Sequence, residues 1–201
     1  LKRTLIEPRE NSTTLYYKQN HNHIPPWILV NDLSFGTTIL WFRILPAQQK
    51  QEIATAIFPY SDSVSIQKRT DILLNMLQLI AEYRNLIAHG NRTFTTMISY
   101  FLSYKDIKKF SNDIVLKKSE YRKGIGKNDF YAAVIAILFL TNLSNPYMLF
   151  KTSLSNILSK YSSMQIGGLN IYELLNIPDN ILQRIEELYK LREKKPENDN
   201  Q

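Results

Sequence analysis

The sequence predicts an all-α fold, and three observations carry that prediction. Apolar residues recur every three to four positions, the period of a helix with one buried face. Prolines and glycines fall where such runs begin and end. No run alternates apolar and polar residues for long enough to build a sheet.

The elements follow in order. Residues 1–24 are polar, rich in Asn, Thr and Tyr, and predict an irregular N-terminal segment. Pro25-Pro26 opens an apolar stretch, Trp27 to Leu45, that predicts a helix interrupted near Gly36. Pro46 starts a shorter helix through Phe58, and Pro59 ends it. The longest predicted helix runs from about 63 to 89, with Ser61-Asp62-Ser63 offering N-cap groups and Gly90 a C-cap. Residues 94–104 predict another helix, whose Tyr and Phe residues fall at helical spacing and so belong to the core rather than to a base-stacking platform. Residues 105–127 are basic and weakly periodic, with Gly124 and Gly126, and predict a loop or short hairpin insertion. Asn128-Asp129 caps a run, Phe130 to Leu140, that is apolar on all sides and too short to span a bilayer, which makes it a buried central helix. Pro146 opens the next helix, to about Tyr161. Gly167-Gly168 is a turn, and two last helices cover about 170–176 and 179–194. The expected organisation is one helical domain over 25–192, with a charged, disordered tail over 193–201.

Composition bounds the function. At 201 residues the chain is long enough to bury a core. A net charge of +7 and a pI near 9.4 favour an anionic partner, nucleic acid or an acidic membrane surface, although they also suit a merely basic soluble protein. There is no cysteine, which excludes a disulfide-stapled secreted fold and any thiolate metal site. No signal peptide is visible. The chain opens on Leu1 and a polar segment, so residues preceding it are to be expected.

The residues that point to chemistry are Arg84 and His89, on the last turns of the long helix. At 3.6 residues per turn, Ile66, Thr70, Leu73, Leu77, Ile80, Arg84 and Ile87 fall on one stripe, the expected core face. Asp71, Asn75, Gln78, Glu82, Asn85 and His89 fall on a second, polar stripe. Arg84 would then interrupt an apolar seam, where a guanidinium is costly unless it is paired or lines a cleft. Arg84 and His89 point about 140° apart in an ideal helix. Either the last turn unwinds before Gly90, or a site is assembled from two copies of the helix. A structural alternative stands beside both: Arg84 buried in an ion pair, with His89 complementing the helix dipole.

Arg84-Asn85-x-x-x-His89 resembles the R-N-x-x-x-H signature of the HEPN ribonucleases. Pro26-Trp27-Ile28-Leu29-Val30-Asn31-Asp32-Leu33-Ser34-Phe35-Gly36 resembles the P-x-W-x-x-x-E-x-x-T-F-G segment of the bacterial abortive-infection (Abi-like) proteins, with Asp32 and Ser34 near positions where that family often has Glu and Thr. Arg84-Asn85-x-x-Ala88-His89 matches that family's R-N-x-x-A-H, and Gly126-Lys127-Asn128-Asp129-Phe130-Tyr131-Ala132 resembles the stretch before its next core helix. The similarity extends over roughly residues 25–190. It implies an all-α HEPN-like helical bundle in the bacterial cytoplasm and phage defence by growth arrest. It also implies metal-independent RNA cleavage by a homodimer whose two R-x-x-x-x-H helices face each other. The N-terminal part that the family leads one to expect is short or absent here.

The proposed chemistry follows from the side chains themselves. An imidazole at His89 can take the ribose 2′-hydroxyl proton or protonate the leaving 5′-oxygen. Arg84 can hold the scissile phosphate and stabilise its developing charge, and Asn85 can orient either group. Attack by the 2′-hydroxyl restricts the substrate to RNA and calls for no metal and no cofactor. Backbone contacts are expected from Arg92, Lys117, Lys118, Arg122, Lys123 and Lys127, with Tyr121 stacking a base; the other reading of this run is a solvated loop. A toxin of this kind also leaves room for an antitoxin partner, protein or RNA, and no membrane partner is expected. His21-Asn22-His23 spells HNH, but nucleases of that name keep those residues far apart; two loop histidines can bind a metal only together with a third ligand. Gly124-Ile125-Gly126-Lys127 lacks the first glycine of a P-loop, has Asn128 in place of Ser or Thr, and follows no strand. The competing function is a non-catalytic helical RNA-binding or regulatory module. Convergence of Arg84 and His89 in a basic cleft would favour the enzyme, and Arg84 held by a buried carboxylate would favour the module.

Overall fold

The computed structural model describes residues 2–21, 23–59, 64–141 and 144–193. Backbone packing groups the chain into two compact units, Leu1–Lys50 and Gln51–Gln201. The all-α expectation holds. Among the described residues there is no strand, only an isolated bridge between Ile166 and Leu169 across the Gly167-Gly168 turn, where both glycines have positive φ.

In the first unit the segment expected to be irregular supplies two helices, α1 (Lys2–Ile6) and α2 (Thr13–Asn20). The Ser12 hydroxyl caps α2 by accepting from the Leu15 N–H at 3.1 Å. Apolar periodicity could not reveal α2, because its one buried residue is Thr14. A polar contact holds it instead: the Thr14 N–H donates to the Asp32 carboxylate at 2.9 Å, and hydrogen bonding from Thr14 keeps that carboxyl below the ordinary range. α3 (Pro26–Leu29) has Pro26 in its first turn, where a missing N–H costs nothing, and passes into a 3-10 turn over Val30–Asp32. α4 (Phe35–Ile44) starts afresh at Ser34, whose hydroxyl accepts from the Thr37 N–H. The interruption expected near Gly36 therefore lies at Leu33-Ser34. α5 (Ala47–Ile57) spans the division between the units.

The second unit is built on α6 (Ile66–Ala88) and α9 (Phe130–Leu140), which pack on each other. α9 is the expected central helix. Asp129 caps it, accepting from the Ala132 N–H at 2.9 Å, and eight of its residues are buried. Ser61-Asp62-Ser63, expected to cap α6, lies outside the described residues; the N-cap position is Ser65. The core face of α6 is also not the expected one. The buried residues are Arg69, Thr70, Ile72, Leu73, Met76, Leu79 and Tyr83, whereas Ile66, Arg84 and Ile87 are exposed. Polar residues can enter this face because each is satisfied there. Arg69 Nε donates to the Val64 carbonyl, the Thr70 hydroxyl to that of Ile66, and the Tyr83 hydroxyl to that of Thr96.

Two further expectations are corrected after α6. Residues 94–103 are not helical. They run as a turn and an extended strap, because the Ile98 and Leu102 N–H groups donate to the Asn128 and Lys127 carbonyls at 3.0 and 2.7 Å. Ile98 and Leu102 are the buried anchors, and Phe101 stands 56% exposed rather than in the core. Residues 105–127 form neither a bare loop nor a hairpin but two helices, α7 (Tyr104–Ser111) and α8 (Lys118–Arg122). α7 ends at Asn112, which takes the left-handed conformation.

α10 (Ser144–Lys160), α11 (Ile171–Leu174) and α12 (Ile181–Glu193) complete the unit, and α10 packs on α12 through the Tyr147 hydroxyl and the Ile185 carbonyl. Of the expected disordered tail, Glu193 ends α12, and 194–201 lie outside the described residues. Arg184 on α12 forms the buried charge centre of this unit. It makes two hydrogen bonds to the Glu120 carboxylate at 2.6 and 2.8 Å, one to Asn180 and one to the Val115 carbonyl. Among the described residues no helix is long and apolar enough to cross a membrane.

Candidate active site

α6 stays helical to Ala88, and His89 is its C-cap. Gly90 follows at φ +68°, a conformation that glycine adopts without strain. The Gly90 N–H donates to the Ile87 carbonyl and the Asn91 N–H to that of Leu86, both at 3.0 Å. This pair of bonds is the Schellman closure of a helix end. The last turn therefore does not unwind, and α-helical geometry keeps the Arg84 and His89 side chains about 140° apart within one chain.

Arg84, Asn85 and His89 are all exposed. Arg84 Nη1 donates to Asn85 Oδ1 at 3.2 Å. Among the described residues no carboxylate pairs with Arg84 or His89. Glu82, one turn before Asn85 on the same stripe, is occupied by the backbone N–H and hydroxyl of Ser99. The expected seam with a buried Arg84 thus does not form. Rotation of the core face leaves the guanidinium in solvent, beside an Ile87 that is 63% exposed.

The predicted RNA-binding residues lie on two stretches, Arg92 just after α6 and the rest on and around α8. Arg92 is exposed in the turn after Gly90, and its carbonyl accepts from the Thr95 and Thr96 hydroxyls. Lys117 is the N-cap of α8, Lys118 its first residue, Arg122 its last and Lys123 its C-cap, and all four are exposed. Lys127 is exposed in the turn beyond. Tyr121 is set differently. It is half-buried, its hydroxyl donates to the Leu102 carbonyl at 2.9 Å, its ring lies 5.9 Å from that of Tyr104, and burial raises its pKa. No described hydrogen bond or ion pair joins the Arg84–Arg92 group to the 117–127 group.

Two basic residues escaped the sequence reading. Lys105 and Lys109 are exposed on α7, one turn apart, while Lys108 between them is bound to Asp113 at 2.9 Å. The signal was available, since Lys105, Lys108 and Lys109 fall around buried Ile107 at helical spacing; reading 105–127 as a loop hid it. His21 is an exposed ring packed against Tyr17, with centroids 4.6 Å apart; His23 is exposed, and Asn22 lies outside the described residues. Among the described residues no group of three or more His, Asp or Glu side chains is arranged to hold a metal ion.

Residues 2–95 match the family model described as Abi-like protein. No curated protein and no solved structure gives a match. The matched stretch includes both Pro26–Gly36 and Arg84–His89. It begins earlier than the resemblance read from the sequence and ends well before residue 190, leaving Gly126–Ala132 outside it.

Proposed function

We propose, from the match of residues 2–95 to the Abi-like family, that this chain is a phage-defence toxin acting as a metal-independent endoribonuclease of the HEPN type. The observation that carries the reading is the state of Arg84 and His89. A cation and an imidazole sit exposed at the closed end of the longest helix, inside the matched stretch, and no described carboxylate neutralises either.

The reaction that suits them is attack of the ribose 2′-oxygen on the adjacent phosphorus. An imidazole takes the 2′-hydroxyl proton, the bond from phosphorus to the 5′-oxygen breaks, and a second proton donor serves the leaving oxygen. Arg84 binds the phosphate and stabilises the charge that accumulates on it. One chain offers a single His89 that points away from Arg84. A two-fold dimer about the ends of α6 supplies two of each and brings them to one phosphate. Arg92 and the α7–α8 lysines hold the RNA backbone on this reading.

The divergence of the two side chains in a single chain favours the alternative, a non-catalytic RNA-binding module, only if the protein is monomeric. Light scattering at micromolar concentration should therefore report a dimer. The decisive experiment is incubation with total RNA in EDTA. The wild type should produce fragments ending in a 2′,3′-cyclic phosphate, and His89→Ala should be slower by more than about 10²-fold. Equal cleavage by the variant, or strict dependence on added divalent metal, would overturn the assignment.

A further inference from the structure

A cavity of about 310 Å³ lies between α6 and the extended strap that follows it. Its volume falls at the lower end of the range of small-ligand pockets, roughly 300–1,000 Å³. The wall on α6 presents Asp71 and Asn75; the opposite wall presents Ser99, Phe101 and Ser103. The ribonuclease chemistry leaves these residues without a task.

The polar groups in the cavity are mostly acceptors. One Asn75 amide N–H donates to the Phe101 carbonyl at 2.6 Å, which leaves its second N–H and its side-chain oxygen. Asp71 is exposed and receives one hydrogen bond, from Gln67 at 3.2 Å. The Ser99 hydroxyl donates to Glu82, which leaves its lone pairs. Lys68 at the rim is held by Asp106 at 3.0 Å. Phe101 adds an aromatic ring that is 56% exposed although its neighbour Leu102 is buried. An exposed ring beside a fixed set of acceptors suits a planar ligand whose edge consists of donors.

Phase along α6 links the cavity to the candidate site. Asp71 precedes His89 by 18 residues, five helical turns, so the two share one stripe. Asn75, also on that stripe, stands about 21 Å along the axis from His89, at 1.5 Å per residue.

We infer that this cavity is a subsite for an unpaired nucleobase of the RNA, selecting a donor edge, with guanine the best match. Single-stranded RNA is recognised by stacking splayed bases on aromatic rings and bonding their edges. Here Phe101 is the stacking surface. The Asp71 carboxylate accepts from N1–H and the 2-amino group of guanine together, a two-point pairing for which uracil has one donor. The base held here is several nucleotides from the scissile phosphate, so the pocket sets which RNA is cut and not the rate at which a bound phosphate reacts.

The inference rests on the ribonuclease reading for its purpose, but binding can be measured without cleavage. GMP and UMP are titrated into the full-length wild type by calorimetry, and into Phe101→Ala, Asp71→Asn and His89→Ala. GMP should bind in preference to UMP. Phe101→Ala should weaken GMP binding at least about fivefold, the low end for removal of one stacking ring. Asp71→Asn should abolish the preference for GMP over UMP, and His89→Ala should leave it intact. Circular dichroism confirms that the two pocket variants keep their helix content. No saturable binding of GMP at millimolar concentration overturns the subsite, as does GMP binding unaffected by both pocket variants. Displacement of GMP by spermidine at equal concentration marks the cavity as a cation site and also overturns it. Cleavage in EDTA without GMP binding leaves the ribonuclease standing and removes the subsite. GMP binding by a protein that does not cleave does the reverse.

Discussion

Two arginines of this chain, a hundred residues apart, show what burial does to a guanidinium. Arg184 is 5% exposed and fully engaged, with Glu120, Asn180 and the Val115 carbonyl around it. Arg84 is exposed and its one described hydrogen bond goes to the neutral amide of Asn85. A buried cation must be neutralised where it sits, and its partners then consume its capacity to bind anything else. A cation left in water with no carboxylate keeps its donors for a ligand. The same residue type thus serves structure at the α8–α12 junction and, on the proposed function, recognition at the end of α6.

The largest effect expected from this contrast is on stability. Arg184→Ala strands the Glu120 carboxylate in a site built for an ion pair, at a cost of about 3 kcal/mol. That corresponds to a fall in Tm of about 10 °C by calorimetry. A loss under about 1 kcal/mol would mean that water screens the pair and that the contrast is only apparent.

Acid sharpens the same point. Burial raises the Glu120 carboxyl, but hydrogen bonds from Arg184 and the Lys117 N–H outweigh it and leave the folded value below the ordinary one. Such a group stabilises the fold above its unfolded pKa, and that contribution is lost as pH falls through the lower folded value. Tm measured between about pH 5 and pH 2 should therefore fall less steeply in Glu120→Gln than in the wild type. Asp129 acts in the opposite sense. Burial, only partly offset by the N–H groups of Ala132 and Gly126 and by the Asn176 amide, holds its carboxyl above the usual range. Its protonation with falling pH therefore does not add to the acid loss. An unchanged slope in Glu120→Gln would show that Glu120 is not the acid-sensitive partner.

The smallest expected effect separates the basic surface from both arginines. Replacing Lys118, Arg122 and Lys123 with Ala should weaken binding to all single-stranded RNA alike. The log–log salt dependence should flatten by about 0.7 for each phosphate that is no longer neutralised. An unchanged slope would place the RNA backbone elsewhere, with α7 and its Lys105 and Lys109 as the next surface to test.

The sequence made the α9 core legible because hydrophobicity on every side has one structural meaning, and Asp129 marks its start. It made the end of α6 legible through Gly90, whose positive φ completes the Schellman closure. The rotation of α6 was not legible. Polar Arg69 and Thr70 enter the core because the Val64 and Ile66 carbonyls receive them, and such local satisfaction leaves no trace in a hydrophobic pattern. The strap over 94–103 was hidden for a related reason, since its conformation is fixed by the carbonyls of Lys127 and Asn128, far along the chain. As for the candidate site, the motif singled out Arg84 and His89, but their exposure and want of a carboxylate partner among the described residues could come only from the fold.

The most direct test measures both arginines in one experiment: the rate of RNA cleavage in EDTA, well below Tm, together with Tm itself, for Arg84→Ala and Arg184→Ala. Arg84→Ala should lose more than about 10²-fold in rate with Tm nearly unchanged. Arg184→Ala should lose Tm and keep most of the rate. Cleavage by Arg84→Ala at the wild-type rate would contradict the division of roles between the two arginines.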